Sequence, residues 1–392
     1  MPISGIKGGT IMNYYTAGGA VRDLLLGRPV RDLDLLFDGS ESDFIQANPQ
    51  ARKVRDLPCP IYLLGGYEYT PMRGGSFAAD MLRRDFTCNA LALAEDGRLF
   101  AHPQALGDLR DRVIRPTSPE SLINDPVRLF RAARLHAALP GFSLHSECLA
   151  AMRDPAVSLH DIAPEQVGRE TQKACSAAKP GNFLRDLAEA GRLLPWFAEF
   201  EGTPDIPAGP PKYHNSSVLE HMARVMDTTA LLCRDDPEET RTLAVWSALC
   251  HDLGKASTPL EILPHHYEHE ARGATAAAAL ADRLRLPNRM RAAGIKAAHL
   301  HMKAGVYPTL RSGTRVDLLM EAHAADLLRP LFLTAQADSG RRDLLEAAER
   351  DLAVILAVHL PPERCNQGAA SGAWLRELRC TTLAEAGLGR KG

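Results

Sequence analysis

The stretch Tyr15–Gly39, YTAGGAVRDLLLGRPVRDLDLLFDG, decides how the rest of the chain is read. It sets an apolar approach, a Gly18-Gly19 turn, a short helix over Ala20–Leu26 carrying Arg22 and Asp23, and a second apolar run bearing Asp32 and Asp34 in close order. Residues two apart in a strand project from one face. Asp32 and Asp34 are therefore expected side by side, with Leu33 and Leu35 turned the other way into a core. Paired carboxylates are hard oxygen ligands that suit Mg²⁺, and two such ions about 3.5–4 Å apart lower the pKa of an attacking hydroxyl and neutralise a departing pyrophosphate. Glycines without a Cβ let the backbone approach a triphosphate and aim N–H groups at it. An isolated Asp-x-Asp is more often a solvated strand end, and Gly-Gly is usually just a turn. Their combination at this spacing points to phosphate chemistry with a metal.

At 392 residues the chain is too long for one ordinary core, so two or three domains are expected. Hydrophobic content of 45% and charged content of 24% are those of a soluble globular protein. There is no charged-then-apolar leader at the N-terminus and no apolar run long enough to span a bilayer, so the sequence reads as cytoplasmic with no membrane partner. Eight cysteines without a C-x-x-C pair read as reduced thiols rather than a disulfide framework or a zinc site. A net charge of −2 argues against a strongly basic nucleic-acid binder but leaves room for a local basic face.

Residues 1–117 alternate β-like runs (Asp34–Phe37, Ile61–Leu64, Leu91–Ala94, Val113–Ile114) with helical segments, which predicts a small mixed sheet backed by helices. Residues 118–200 are rich in alanine, leucine and arginine and predict helices. Glu201–Pro211, EGTPDIPAGPP, is a proline- and glycine-rich break. A second helical region follows over 212–357, with a tail of one or two helices over 358–392. The fold class is α+β: a mixed-sheet head, an all-α neck and an all-α third domain.

The segment GGAVRDLLLGRPVRDLDLLFDG resembles the signature of bacterial tRNA nucleotidyltransferases, the class II CCA-adding enzymes of the polymerase-β-like nucleotidyltransferase superfamily. Two further blocks extend the resemblance. Arg83-Arg84-Asp85-Phe86-Thr87-Cys88-Asn89-Ala90 resembles the family's RRDFTINA block. Consecutive arginines offer permanently charged, bidentate donors for phosphate, and a carboxylate accepts from a ribose 2′-hydroxyl. The resemblance gives Arg84 and Asp85 those two tasks, with Gly18, Gly19, Arg22 and Arg83 beside the nucleotide. Asn124-Asp125-Pro126-Val127-Arg128-Leu129-Phe130-Arg131-Ala132-Ala133-Arg134 resembles the EDPLRxLRAARF block. On a helix, Asp125 and Arg128 would share a face, as would Arg128, Arg131 and Arg134. In the family the matching Asp and Arg pair with the Watson–Crick edge of the incoming base, so no nucleic-acid template is required. Asp125 would accept from the cytosine amine and Arg128 would donate to its ring nitrogen and carbonyl.

Two departures from the pattern matter. Asn124 stands where the family usually has Glu, removing a charge beside the base-selecting pair. Glu68–Leu82, EYTPMRGGSFAADML, is shorter than the family's loop, with the deletion centred on Met72–Ala79. Relatives with such a deletion tend to add only the two cytidines and leave the adenosine to a separate A-adding enzyme. Glu68 is a candidate third acidic residue near the metals.

Gly191-Arg192-Leu193-Leu194-Pro195 resembles the family's neck-to-body junction, and Lys212-Tyr213-His214 its PKWH segment. Beyond them His221, His251-Asp252 in CHDLGK, and Asp338 in QADSGRR resemble the ligand pattern of HD-type phosphohydrolases, with His269 and His301 filling two further positions. Histidine nitrogens with carboxylates suit Ni²⁺, Mn²⁺, Co²⁺ or Fe²⁺ better than Mg²⁺, and such a site activates water against a phosphoester.

The expected function is thus addition of CCA, or of CC alone, to tRNA from CTP and ATP, with Mg²⁺ on Asp32 and Asp34. A phosphatase or 2′,3′-cyclic phosphodiesterase would occupy the HD domain, in a monomer or dimer. Two alternatives stay open. One is a bacterial poly(A) polymerase, which shares the head motifs. The other is an HD phosphohydrolase whose head is a degenerate nucleotide-binding module.

Overall fold

Leu35, Leu36 and Phe37 are apolar in succession, and a strand of that kind is satisfied only when both faces of its sheet are covered. The computed structural model, which describes residues 12–30, 32–56, 59–212 and 215–387, covers both. The first elements are β1 (Tyr14–Ala17), α1 (Gly19–Leu25), β2 (Asp34–Phe37), α2 (Glu41–Ala47), β3 (Arg52–Arg55), β4 (Ile61–Leu64), β5 (Tyr67–Pro71) and α3 (Phe77–Arg83). They continue with β6 (Leu91–Ala94), β7 (Leu99–Ala101), α4 (Ala105–Asp111), β8 (Val113–Ile114), α5 (Ser121–Asn124), α6 (Arg128–Ala138), β9 (Ser143–Leu144) and α7 (Ser146–Arg153).

Strands β1 to β7 form one mixed sheet in the order β3-β4-β5-β2-β1-β6-β7, so β2 lies at its centre. Every pairing is antiparallel except β2 with β5. On one face Leu35 and Phe37 pack with Phe44 of α2, Tyr62 and Tyr69. On the other, Leu36 joins Tyr15, Ala17 and Met81 of α3. The period-2 rule then puts Asp34 on the α3 face, beside Leu36. The strands expected at Asp34–Phe37, Ile61–Leu64 and Leu91–Ala94 all lie in this sheet. Val113–Ile114 is also a strand, but it pairs with β9 in a separate two-stranded ribbon.

The alternation expected over Asp32–Leu35 does not hold ahead of Asp34, so it orients neither Asp32 nor Leu33. Leu33 does not reach a core: the strand begins only at Asp34, and Leu33 is 38% exposed on the approach to it. Alternation cannot orient a residue that lies outside the ladder. Leu35 does pack inward as expected.

By packing, the described residues up to Ala132, together with Gly141–Leu159, form one unit. A second unit comprises Ala133–Pro140 and the described residues from His160 onward. Its remaining elements are α8 (Pro164–Cys175), α9 (Gly181–Glu189), α10 (Val218–Leu232), α11 (Glu238–Cys250), α12 (His269–Arg283) and α13 (Asn288–Gly305). After these come α14 (Ser312–Ala324), α15 (Leu328–Ser339), α16 (Leu344–Leu356) and α17 (Ala369–Glu385). Leu300, Leu319, Phe332 and Ile355 centre one of its cores, and Tyr307 and Arg315 both bond the buried carboxylate of Asp351 there. No described helix is long and apolar enough to cross a membrane.

Candidate functional site

In the first unit the site grows from the register of β2. Asp34 is paired across the antiparallel ladder with Ala17 and across the parallel one with Glu68. Cross-strand partners share a face, so Glu68 stands beside Asp34 as a second carboxylate on the α3 side. Asp32 lies two residues before Asp34, ahead of the strand, and is exposed. Directly after β1, Gly18 adopts φ +69°, a backbone conformation open to glycine at little cost. A Cβ on Gly18 would stand 3.3 Å from Arg84 Nη1 and 3.9 Å from Asp34 Oδ2. The glycine turn, the central acid and the phosphate-binding candidate therefore converge on one point.

The surrounding groups are held by one another. Arg22 is clamped by both oxygens of Asp23, at 3.0 and 2.9 Å, and donates to Asn89 Oδ1 at 2.7 Å. Its guanidinium also lies 3.3 Å from where a Cβ on Gly19 would be. Asp85 accepts from the Phe86 N–H at 2.8 Å and from Asn89 Nδ2 at 3.3 Å, and pairs with Arg131 at 3.2 Å. Burial pushes the Asp85 carboxyl up. Arg131, the Phe86 N–H and Arg128 outweigh it and bring the pKa to about 2, so the group is ionised.

The base-selecting candidates differ from their sequence picture in one respect. Asp125 is not on a helix but lies between α5 and α6 at φ −148° and ψ 86°, its carbonyl accepting from the Arg128 N–H. Proline at 126 disfavours a helical conformation for the residue before it. The side chains still meet, with Arg128 Nε 3.5 Å from Asp125 Oδ2. Arg128 Nη1 donates to Ser121 Oγ at 2.7 Å, and Nη2 to the carbonyl of Arg83 at 2.9 Å. The Arg83 side chain is exposed. Arg134 belongs to the second unit, where it pairs with Glu170.

The second unit brings all six HD candidates together from α10, α12, α13, α15 and the turn that follows α11, which carries His251 and Asp252. His221, His251 and Asp338 form one group of close ligand atoms, and Asp252, His269 and His301 another. The Asp252 carboxylate joins them. Its Oδ2 lies 3.2 Å from His221 Nε2 and 3.2 Å from His251 Nε2, while its Oδ1 lies 3.4 Å from both His269 Nε2 and His301 Nε2. Asp338 Oδ1 is 3.1 Å from His221 Nε2. The Nδ1 atoms of His251, His269 and His301 each face a backbone carbonyl, of Ala248, of His266, and of Ala297 and Ala298 respectively. That contact puts the proton on Nδ1 and leaves the Nε2 lone pair pointing inward, as metal-binding histidines require.

Asp252 Oδ1 is buried without a hydrogen-bond partner, which is costly for a carboxylate unless a cation meets it. Burial pushes the Asp252 carboxyl up, but Lys255 and His251 outweigh it and hold it well below the usual range. Burial lowers His221, but hydrogen bonds to Asp252 and Asp338 raise it to about 9, so a cation binding there would displace a proton. The donor set fits a transition metal. Close packing makes this geometry available: a Cβ on Gly254 would fall 1.9 Å from the His269 carbonyl oxygen, so the turn after Asp252 can lie directly against the start of α12 only as glycine.

The sequence matches the model of the Poly A polymerase head domain over residues 14–59 and that of the HD domain over residues 218–353. It is 35% identical to the multifunctional CCA protein of Xanthomonas axonopodis pv. citri, over 86% of this chain and 87% of the relative. The chain belongs to the bacterial CCA-adding enzyme family. It is also 34% identical to the multifunctional CCA protein of Methylococcus capsulatus, over 95% and 94% of the two chains. Its fold is that of solved CCA-adding enzymes. The Bacillus stearothermophilus enzyme in complex with CTP superposes with a TM-score of 0.62 at 20% identity, covering 96% of this chain and 89% of that one. A CCA-adding enzyme in complex with ATP gives a TM-score of 0.63 at 18% identity, covering 97% and 87%. As a CCA-adding enzyme with an HD domain, this protein is a nucleotidyltransferase.

Several residues that the motifs of this CCA-adding enzyme leave without a role help build its sites. Asn89, inside the quoted RRDFTCNA block, bonds both Arg22 and Asp85. Lys255, the last residue of HDLGK, sits 2.7 Å from Asp252 Oδ2 and donates to the Ala208 carbonyl. Asp80, four residues before Arg84, is fully buried beneath it. The helical spacing of Asp80 and Arg84 was a usable signal. The match of Asn89 to the family's RRDFTINA block is a usable local signal as well. Of the Lys212-Tyr213-His214 segment, Tyr213 and His214 lie outside the described residues.

Proposed function

We propose that this CCA-adding enzyme builds the 3′-terminal CCA of tRNA from CTP and ATP without a nucleic-acid template. Its HD domain would hydrolyse phosphoesters, including 2′,3′-cyclic phosphates at damaged tRNA ends. The observation that carries the first half is the convergence of Asp34 and Arg84 on the open side of Gly18, with Glu68 in register beside Asp34. Asp32, Asp34 and Glu68 would hold Mg²⁺, which supplies the positive charge that lowers the pKa of the tRNA 3′-hydroxyl and offsets the charge on departing pyrophosphate. Arg84 and Arg22 bind the triphosphate, with Gly18 and Gly19 letting it approach the backbone. Asp85, ionised and oriented by Asn89 and Arg131, accepts from the ribose 2′-hydroxyl. Asp125 offers its carboxylate to the exocyclic amine of the base. Arg128 reads the ring by exchanging its bond to the Arg83 carbonyl for one to the nucleotide.

In the HD domain one carboxylate oxygen of Asp252 faces each histidine pair, so the six side chains are suited to two cations sharing Asp252. Ni²⁺, Mn²⁺, Co²⁺ or Fe²⁺ would there supply a water-derived nucleophile at neutral pH. Lys255 balances the charge of Asp252 and fixes its orientation.

A second reading, that addition stops after CC and a separate enzyme supplies the adenosine, is favoured by one observation. Only Met72–Ser76 separates β5 from α3. The test is to incubate the protein with tRNA ending at the discriminator base, supply CTP and ATP separately and together, and sequence the product ends. CTP alone is expected to give CC, and both together CCA. A product that ends at CC with both present supports the second reading. Polymerisation of ATP alone contradicts tRNA end-building in favour of poly(A) synthesis.

A further inference from the structure

One carboxylate lies beneath the nucleotide site and belongs to none of the motifs. Asp80 is completely buried in α3, where an ionised group persists only with full compensation. Three donors compensate it. Arg84 Nε reaches Oδ2 at 2.9 Å, while the backbone N–H and Nε of Arg73 reach Oδ1 at 3.1 and 3.0 Å. Burial alone would raise the Asp80 carboxyl, but Arg84 and Arg73 hold it below its ordinary range. The two arginines come from different places. Arg84 points its Nη1 toward Gly18, where the triphosphate is expected, and Arg73 belongs to the Met72–Ser76 connection. That connection is closed down on α3. Gly74 has φ +71°, a Cβ there would fall 2.7 Å from the Ala79 methyl, and Arg73 Nη1 also donates to the Arg83 carbonyl at 3.3 Å.

From this geometry we infer that Asp80 is a positioning residue that locks Arg84 to the β5–α3 connection, so that the triphosphate arginine and the loop beside it take up a single arrangement. The inference rests on the proposed nucleotide site and adds to it a control over how that site is set. A guanidinium held through Nε keeps its two Nη groups in one plane toward the ligand, whereas an untethered one must be ordered by the ligand itself. With the tether in place, CTP meets a preformed phosphate clamp. The same tether keeps the loop from rearranging between nucleotides.

The test compares Asp80→Asn, Arg73→Ala and Arg73→Lys in the full-length protein, by steady-state addition of CMP to tRNA and by calorimetric binding of CTP with Mg²⁺ and no tRNA. Asp80→Asn should raise both KM and Kd for CTP about tenfold or more, in keeping with loss of a buried charge-assisted bond. Arg73→Ala, at a partly exposed side chain, should raise them about threefold, on the scale of a weaker ion pair, and Arg73→Lys should recover most of that. Neither constant depends on how much protein is folded, so a purely structural role would lower kcat alone. Unchanged KM and Kd in both Asp80→Asn and Arg73→Ala overturn the inference. If Asp80→Asn does not fold, the Arg73 pair decides it. Failure of the wild-type protein to add any nucleotide would sink the proposed function alone, because CTP binding still reads the tether. Failure of the wild type to bind CTP would sink both.

Discussion

Gly254→Ala tests how far the HD site depends on a single contact. A Cβ at this position would lie 1.9 Å from the His269 carbonyl oxygen, 2.6 Å from the Gly273 nitrogen and 2.8 Å from the His269 carbonyl carbon. All three are backbone atoms, so no rotamer change relieves the overlap. Non-bonded carbon contacts settle at about 3.5–4.0 Å, so the start of α12 must withdraw by more than about 1 Å from the turn that carries Asp252. His269 Nε2 is 3.4 Å from Asp252 Oδ1, and a metal site tolerates ligand shifts of only about 0.2 Å. The Asp252–His269–His301 half of the site should therefore lose its ion, while overpacking destabilises the second unit by about 1–3 kcal/mol, or several degrees in Tm. The assay is metal content by mass spectrometry after dialysis against Mn²⁺ or Ni²⁺, alongside thermal unfolding and CMP addition. Gly372→Ala in α17 is the control, because a Cβ there meets nothing within 4 Å. It should leave metal content unchanged and raise stability by about 0.5–1 kcal/mol. A Gly254→Ala protein that retains the wild-type metal stoichiometry and Tm would refute the claim that this approach of two glycine-bearing segments builds the site.

Three further outcomes are expected. Asp34→Ala should abolish nucleotide addition and spare phosphoester hydrolysis, with His251→Ala giving the reverse; loss of both activities in either folded variant contradicts two independent sites. Stripping divalent metal and adding back Mn²⁺ or Ni²⁺ at about 100 times Kd should stabilise the wild-type second unit by about 2.7 kcal/mol, and His251→Ala should show a much smaller rise in Tm on the same addition. Asp85 has a folded pKa of about 2 against an ordinary value of 3.8, so its contribution is complete above about pH 4 and is lost as pH falls through about 2. Arg131→Met removes its ion-pair partner and should raise the Asp85 pKa, read by carbon NMR titration of the carboxyl; an unmoved titration would show that Arg131 does not hold the carboxylate in its charged form.

Much of the head was legible because its signals are local. Asp34–Phe37, Ile61–Leu64 and Leu91–Ala94 are short apolar runs bounded by turn residues, and the strands occupy those spans. The Gly18 turn, the RRD block and the HD dipeptide likewise carry their chemistry within a few neighbouring residues. The differences fall at element boundaries. Strand alternation is expected at Leu33 and helical spacing at Asp125, but Leu33 lies ahead of β2 and Asp125 lies between α5 and α6.

Sequence by itself determined the kinds of group available: acids after a glycine turn, paired arginines, and histidines with carboxylates, all in family order. Only the tertiary structure decided which of them meet. The parallel pairing of β2 with β5 sets Glu68 beside Asp34, and Asp80 reaches both Arg73 and Arg84 because the short connection folds back on α3. Four helices and the turn after α11 deliver the HD side chains so that the two oxygens of Asp252 face different histidine pairs, while Arg134 pairs with Glu170. The physical reason is range. Dihedral preference and apolar periodicity act between neighbours along the chain, whereas strand register, helix docking and the pairing of buried charges are settled by contacts between segments far apart in sequence, and no local pattern encodes them.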